Sequence, residues 1–148
     1  MTPFEVTVRL FIYRFIAIEA RIPTIAEIRH GLGEELEKVE KTLESLAEQH
    51  ILVLEPNSRQ IWMAMPFSAR STAHRVSIER RSWSANCAWD ALGIPAMLKA
   101  DAKISTRCPV TDEAIEFAIE DGKPSADAPP YVHFALPTAK WWEDIGFT

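Results

Sequence analysis

The chain has 148 residues, 47% of them hydrophobic and 25% charged, enough for one compact domain or two small ones whose core needs no staples. A formal net charge of −5 argues against a protein whose main task is gripping phosphate backbones, and no stretch is long and apolar enough to span a membrane. The opening segment is the most hydrophobic, but Glu5, Arg9 and Arg14 interrupt it and it lacks the order of a signal peptide, so a cytoplasmic protein with its two cysteines reduced is expected.

Phe4, Val8, Phe11, Phe15 and Ile18 recur at four-three-four-three spacing, which predicts a first helix buried along that stripe. Pro23 and Thr24 open a second helix, with Glu27 three residues after Thr24 as a capping box requires, and Gly31 and Gly33 are expected to end it. A third helix is predicted from about Glu34 to Gln49, with Leu36, Val39, Leu43 and Leu46 on one face. Two short apolar runs follow, at 51–54 and 60–65, joined by the turn residues 55–59. Three helices and a β-hairpin is the order of a winged helix, so residues 1–67 are expected to form a winged-helix-like domain.

A seam is expected near 66–71, and residues 68–148 are less regular. His74–Ile78 reads as a strand and Ala85–Leu92 as a helix, with Gly93 and Pro95 bending or ending it. Strands are expected at 103–107 and 114–120, joined by the turn 109–113; Ile115, Phe117 and Ile119 alternate with Glu116, Ala118 and Glu120, the mark of a half-buried strand. Residues 121–130 read as a linker and 131–135 as a last short strand, after which Thr138 is expected to cap a turn carrying Trp141 and Trp142. The fold class is therefore α+β: a winged-helix-like part with its hairpin, then a small mixed α/β domain.

Cys87 and Asp90 carry the most chemistry. Three apart in a predicted helix, they share a face. A thiolate seeks soft metals, and a carboxylate beside it can take the thiol proton and deliver it later as a general acid. On spacing alone, a small buried cysteine is the commoner meaning of such a residue. Cys108-Pro-Val-Thr111 is a zinc knuckle short of one cysteine, and four zinc ligands cannot be assembled from two cysteines and scattered histidines. His133, in a strand-like run, reads as a histidine satisfied by backbone rather than as a ligand. Glycine-rich phosphate loops, nucleophile elbows and paired-histidine metal helices are absent from the sequence.

The run Cys87-Ala-Trp-Asp90-Ala-Leu-Gly-Ile-Pro95-Ala resembles the active-site segment of organomercurial (alkylmercury) lyases, in which a metal-binding cysteine is followed three residues later by an aspartate and then by an apolar stretch with a proline. The likeness continues through Ile104-Ser-Thr-Arg-Cys108, Val132-His-Phe134, Pro137-Thr-Ala139 and Trp142, and the family carries a winged-helix-like part at its N-terminus. The resemblance implies protonolysis of carbon–mercury bonds, with Cys87 as the thiolate on mercury and Asp90 as the proton carrier. It implies no required cofactor, since mercury is the substrate metal. A second cysteine of the family is matched here by Pro129, so turnover would be weak or would depend on a second thiol from Cys108 or from a small molecule. The expected partners are a small organometal or other thiophilic ligand and a small cellular thiol, with neither nucleic acid nor membrane. The alternative is a non-catalytic protein that holds a soft metal or thiophilic ligand at Cys87, and a further one is a winged-helix regulator.

The regulator reading has a direct test. The predicted third helix carries Glu34, Glu35, Glu37, Glu40, Glu44 and Glu48 against Lys38 and Lys41, a surface that repels phosphate. Titration of random duplex DNA at physiological salt, followed by anisotropy, is expected to give no micromolar binding; a steeply salt-dependent complex would restore the regulator.

Overall fold

Helix α1 (Pro3–Glu19) starts where Thr2 caps it. The Thr2 hydroxyl accepts from the Glu5 amide, and the Glu5 carboxylate answers to the Thr2 amide, so two otherwise orphaned donors are satisfied. The same carboxylate accepts from Ser45 Oγ at 2.7 Å and from Gln49, tying α1 to α3 (Leu36–Glu48). Those bonds hold the Glu5 carboxyl below its ordinary value. In this structure, a computed structural model that describes residues 1–125 and 131–146, three helices precede eight strands and a fourth helix.

The stripe expected to bury α1 is rotated. Val8, Ile12 and Ile16 are fully buried, whereas Phe4, Phe11 and Phe15 are half-buried and Ile18 is 66% exposed. Apolar residues lie on nearly every side of this helix, so their spacing does not fix which side faces the core. Helix α2 (Ile25–Leu32) opens with the expected Thr24–Glu27 box and closes on Gly33, at φ 66°. Gly31 lies inside α2 rather than ending it, and its role is contact: a Cβ there would sit 2.3 Å from the Phe11 ring. In α3, Val39, Leu43 and Leu46 are buried as expected, while Leu36 stays 46% exposed.

The strands are β1 (Val53–Leu54), β2 (Ile61–Ala64), β3 (Phe67–Ser68), β4 (Arg75–Ile78), β5 (Arg81–Ala85), β6 (Ala102–Arg107), β7 (Ala114–Glu120) and β8 (Lys123–Pro124). They form one antiparallel sheet in the order β1-β2-β3-β5-β4-β6-β7-β8. The register runs Ala64 opposite Phe67, and Phe67 opposite Ala85, so the two-residue β3 joins the hairpin to the strands that follow. Helix α4 (Ala88–Leu98) packs on β4, β5 and β6.

Several expectations in the second half are corrected. Ala85 belongs to a strand, and α4 begins three residues later. Pro95 does not end α4: it is buried, and its carbonyl accepts from the Lys99 amide that closes the helix. Proline forfeits one backbone donor, and the apolar contact made by this buried ring offsets that loss. The strand β8 forms inside the stretch read as a linker, pairing with β7 across the Asp121–Gly122 turn. Residues 131–135 form no strand, and Tyr131 is fully exposed. Thr138 is the first residue of a 3₁₀ turn (Thr138–Glu143) and not its cap; the cap position is Pro137. Pro129 lies outside the described residues.

One contiguous core runs from Val8, Ile12 and Ile16 through Leu43 and Leu46 to Phe67, Trp83, Ile94 and Ile104. Trp83 Nε1 donates to the Ile16 carbonyl at 2.9 Å, and the Tyr13 hydroxyl donates to the Met65 carbonyl at 2.9 Å, so α1 is stitched to the sheet at two points. Phe67, 2% exposed, packs beside both Tyr13 and Trp83. Phe67→Ala is expected to lower the unfolding free energy by about 3–5 kcal/mol, measured by urea denaturation, because it removes the side chain on which both contacts converge. A loss under about 1 kcal/mol would show that the helices and sheet do not depend on this packing.

Candidate functional site

The sheet hands over to α4 through Asn86 and Cys87. Ala85 ends β5 opposite Phe67, and the Asn86 amide reaches the Pro66 carbonyl at 3.4 Å. Cys87 then adopts an extended conformation (φ −148°, ψ 179°) and serves as the N-cap of α4. Its Sγ accepts from the Asp90 amide at 3.4 Å, and its carbonyl accepts from Ala91 at 3.0 Å. Sulfur therefore occupies the place that a serine or aspartate oxygen usually takes at a helix start. The structure brings Cys87 and Asp90 together as their spacing implies, but through cap geometry rather than as two residues of one helix face.

Asp90, in the first turn of α4, has two partners. Its Oδ2 accepts from Asn86 Nδ2 at 3.1 Å, and the carboxylate also accepts from the Cys87 thiol. Burial raises the Asp90 carboxyl above the ordinary carboxylate value, and these two bonds only partly offset it. Burial likewise raises the Cys87 thiol: the backbone amides of Asp90 and Trp89 favour the thiolate, while the Asp90 charge disfavours it. A thiol that keeps its proton beside a carboxyl that readily regains one is an arrangement for moving a proton between sulfur and carboxylate.

Tyr13 stands behind the pair. Burial raises its hydroxyl most, and the Asp90 charge adds to that rise against Arg9. The Asn86 Oδ1 is buried without a protein partner.

Cys87 and Asp90 border a cavity of about 190 Å³. Met63, Met65 and Asn86 line one side of it, and Phe134, Leu136 and Trp141 line another. Trp89 and Phe134 meet edge to face at 5.8 Å, and Phe134 lies 5.3 Å from Trp141. The segment carrying Phe134 and Trp141 is anchored where Trp142 stacks on His50 at 3.8 Å. Gly146 sits close under Trp62, where a Cβ would come within 2.7 Å of the indole. His133 is exposed and borders the same cavity. Among the described residues no cluster of three or more His, Cys, Asp or Glu could hold a metal ion.

Cys108 lies apart, in the β6–β7 turn, where its amide donates to the Glu113 carbonyl at 2.9 Å. It does not line the cavity. Hydrogen bonds from Thr111 lower its thiol below the ordinary value.

The alkylmercury lyase family model, MerB, matches residues 67–148, which contain both Cys87 and Asp90. The chain belongs to the alkylmercury lyase family. Its fold is similar to that of the mercury-bound form of MerB2, with a TM-score of 0.68 and 25% sequence identity, over 85% of this chain and 60% of that one. The chain thus spans about three fifths of the length of that lyase-family structure. No curated protein matches it. Asn86, inside the family segment, and Met63 and Met65, just before it, escaped the sequence reading as residues of the site. Only Asn86 left a trace, four residues before Asp90 and one before the Cys87 cap of α4.

The two thiols of this lyase-family chain are shifted in opposite directions, which predicts their order of reaction. Cys108 forms thiolate at lower pH than Cys87, so iodoacetamide at neutral pH should alkylate Cys108 first. The gap should narrow as pH rises and Cys87 ionises. Peptide mass spectrometry over a pH series reads both rates; faster labelling of Cys87 at neutral pH would contradict the burial of that thiol.

Proposed function

We propose that this chain acts as an organomercurial lyase, using Cys87 to take the mercury and Asp90 to protonate the carbon that leaves. The observation that carries this reading is the pairing of the Cys87 thiol with the Asp90 carboxylate at one cavity wall. The Cys87 thiol attacks the mercury of an R–Hg–X compound; a sulfur–mercury bond forms, X departs, and the thiol proton passes to Asp90. Asp90 then delivers that proton to R. The electron pair of the carbon–mercury bond becomes the new carbon–hydrogen bond, and R–H leaves. Mercury(II) stays on Cys87 until a small cellular thiol carries it away as a thiolate complex. No resident cofactor takes part, and mercury is substrate throughout.

The carboxyl suits this task because burial makes it a better proton reservoir than an ordinary aspartate, while Asn86 fixes one of its oxygens. The aromatic wall of Trp89, Phe134 and Trp141 offers an apolar seat for the organic group. A second reading, binding without cleavage, draws on a different observation: Cys87 is the one cysteine among the described residues that borders the cavity.

Both readings meet in one experiment, performed in a Cys108→Ser background so that Cys87 is the sole thiol. Phenylmercury with excess small thiol should release benzene, and Asp90→Ala should still form the one-to-one adduct while releasing about a hundredfold to ten-thousandfold less. Intact mass spectrometry follows the adduct and gas chromatography the benzene. Unchanged release from Asp90→Ala removes Asp90 from the mechanism, and an adduct without release in either protein establishes the binding reading.

A further inference from the structure

Protonolysis needs electron density on mercury, and a single thiolate supplies little of it. This chain has two cysteines, and Cys108 stands away from the cavity in the β6–β7 turn. The cavity nevertheless has two more sulfur atoms on its border, those of Met63 and Met65. We infer that the thioethers of Met63 and Met65 donate to mercury held on Cys87. They then take over the electron-donating part of a second thiol. The inference rests on the reading of Cys87 as the mercury site and adds the residues that complete it.

The sheet brings these residues to the thiol. Met63 is in β2, and Met65 follows that strand by one residue. Met65 lies in the turn between β2 and β3, and both residues border the cavity. Ala64 between them pairs with Phe67, and Phe67 pairs with Ala85, two residues before Cys87. The segment is also held fast. The Tyr13 hydroxyl binds the Met65 carbonyl, and the Asn86 amide reaches the Pro66 carbonyl at 3.4 Å. Met63 is only 6% exposed, so its sulfur is not spent in water.

The chemistry matches the ligand. Thioether sulfur is soft and polarizable, and it suits the same cations that thiolate does. It carries no proton, so its donation is independent of pH and consumes nothing. During protonolysis the thioether bond to mercury is dative and forms without a leaving group. When the Asp90 proton joins carbon, the mercury left behind keeps the Cys87 thiolate and gains the thioether as its opposite ligand until an external thiol displaces both.

The test uses the full chain in a Cys108→Ser background with its methionines replaced by selenomethionine, loaded with phenylmercury. Mercury-edge X-ray absorption should show a selenium neighbour at bonding distance. That neighbour should vanish in the Met63→Leu, Met65→Leu double variant, with each single variant assigning its share. Leucine keeps the volume of the side chain, so the cavity wall survives. Benzene release by the double variant should fall about tenfold or more, while intact mass still reports one phenylmercury per chain. A stoichiometric adduct on Cys87 with no selenium neighbour means that the methionines merely pack the wall, and the inference falls while the site stands. If Cys87→Ser carries as much phenylmercury as the parent, the Cys87 site itself is wrong and both proposals fall.

Discussion

The pairing of Phe67 with Ala85 is the constraint on which the rest of this molecule depends. Two residues of β3 lie between β2 and β5, and through them the hairpin that follows the helices becomes continuous with the strands of the second half. The Phe67 ring fills the space beneath Tyr13 and Trp83, so the same residue that sets strand register also seats α1. With Ala85 fixed, the next two residues have no freedom to wander: Asn86 leans on Pro66, and Cys87 turns the chain into α4. The thiol is therefore positioned by backbone pairing, which is stiffer than any loop.

At that position two opposing effects balance. The start of a helix favours negative charge, and amides of Trp89 and Asp90 face the sulfur. Burial opposes charge on both Cys87 and Asp90, and it dominates for each. The outcome is a soft thiol and a hard carboxyl side by side, both pushed towards their protonated forms. Cys108, half-buried in the β6–β7 turn, is shifted the other way by hydrogen bonds from Thr111.

Features encoded within a few residues were readable from the sequence. The Thr24–Glu27 box and the alternation along β7 need only local geometry, and both stand where expected. The rotation of α1 was not readable, because a helix apolar on most sides takes its orientation from what packs against it. Strands β3 and β5 were missed since two to five residues rich in serine carry almost no period. The Cys87–Asp90 spacing was right for a reason the spacing cannot distinguish: N-cap to third residue and face-sharing helix positions are both three apart. The methionines carry no signal at all, because only the sheet order brings residues 63 and 65 beside residue 87.

The stack of Trp142 on His50 has a consequence for how the cavity can change. The floor of the cavity, with its sulfur and carboxylate, is built from the sheet and α4, which also supplies Trp89, whereas Phe134 and Trp141 come from a segment stacked on His50, two residues after α3. Gly146 of the same segment lies against Trp62 of β2, so that segment is held from the helices and from the sheet at once. Substituting Phe134 or Trp141 therefore changes the room beside Cys87 and Asp90 while leaving untouched the strands and helix that hold this pair, so the breadth of the cavity and the geometry of the pair can be varied one at a time.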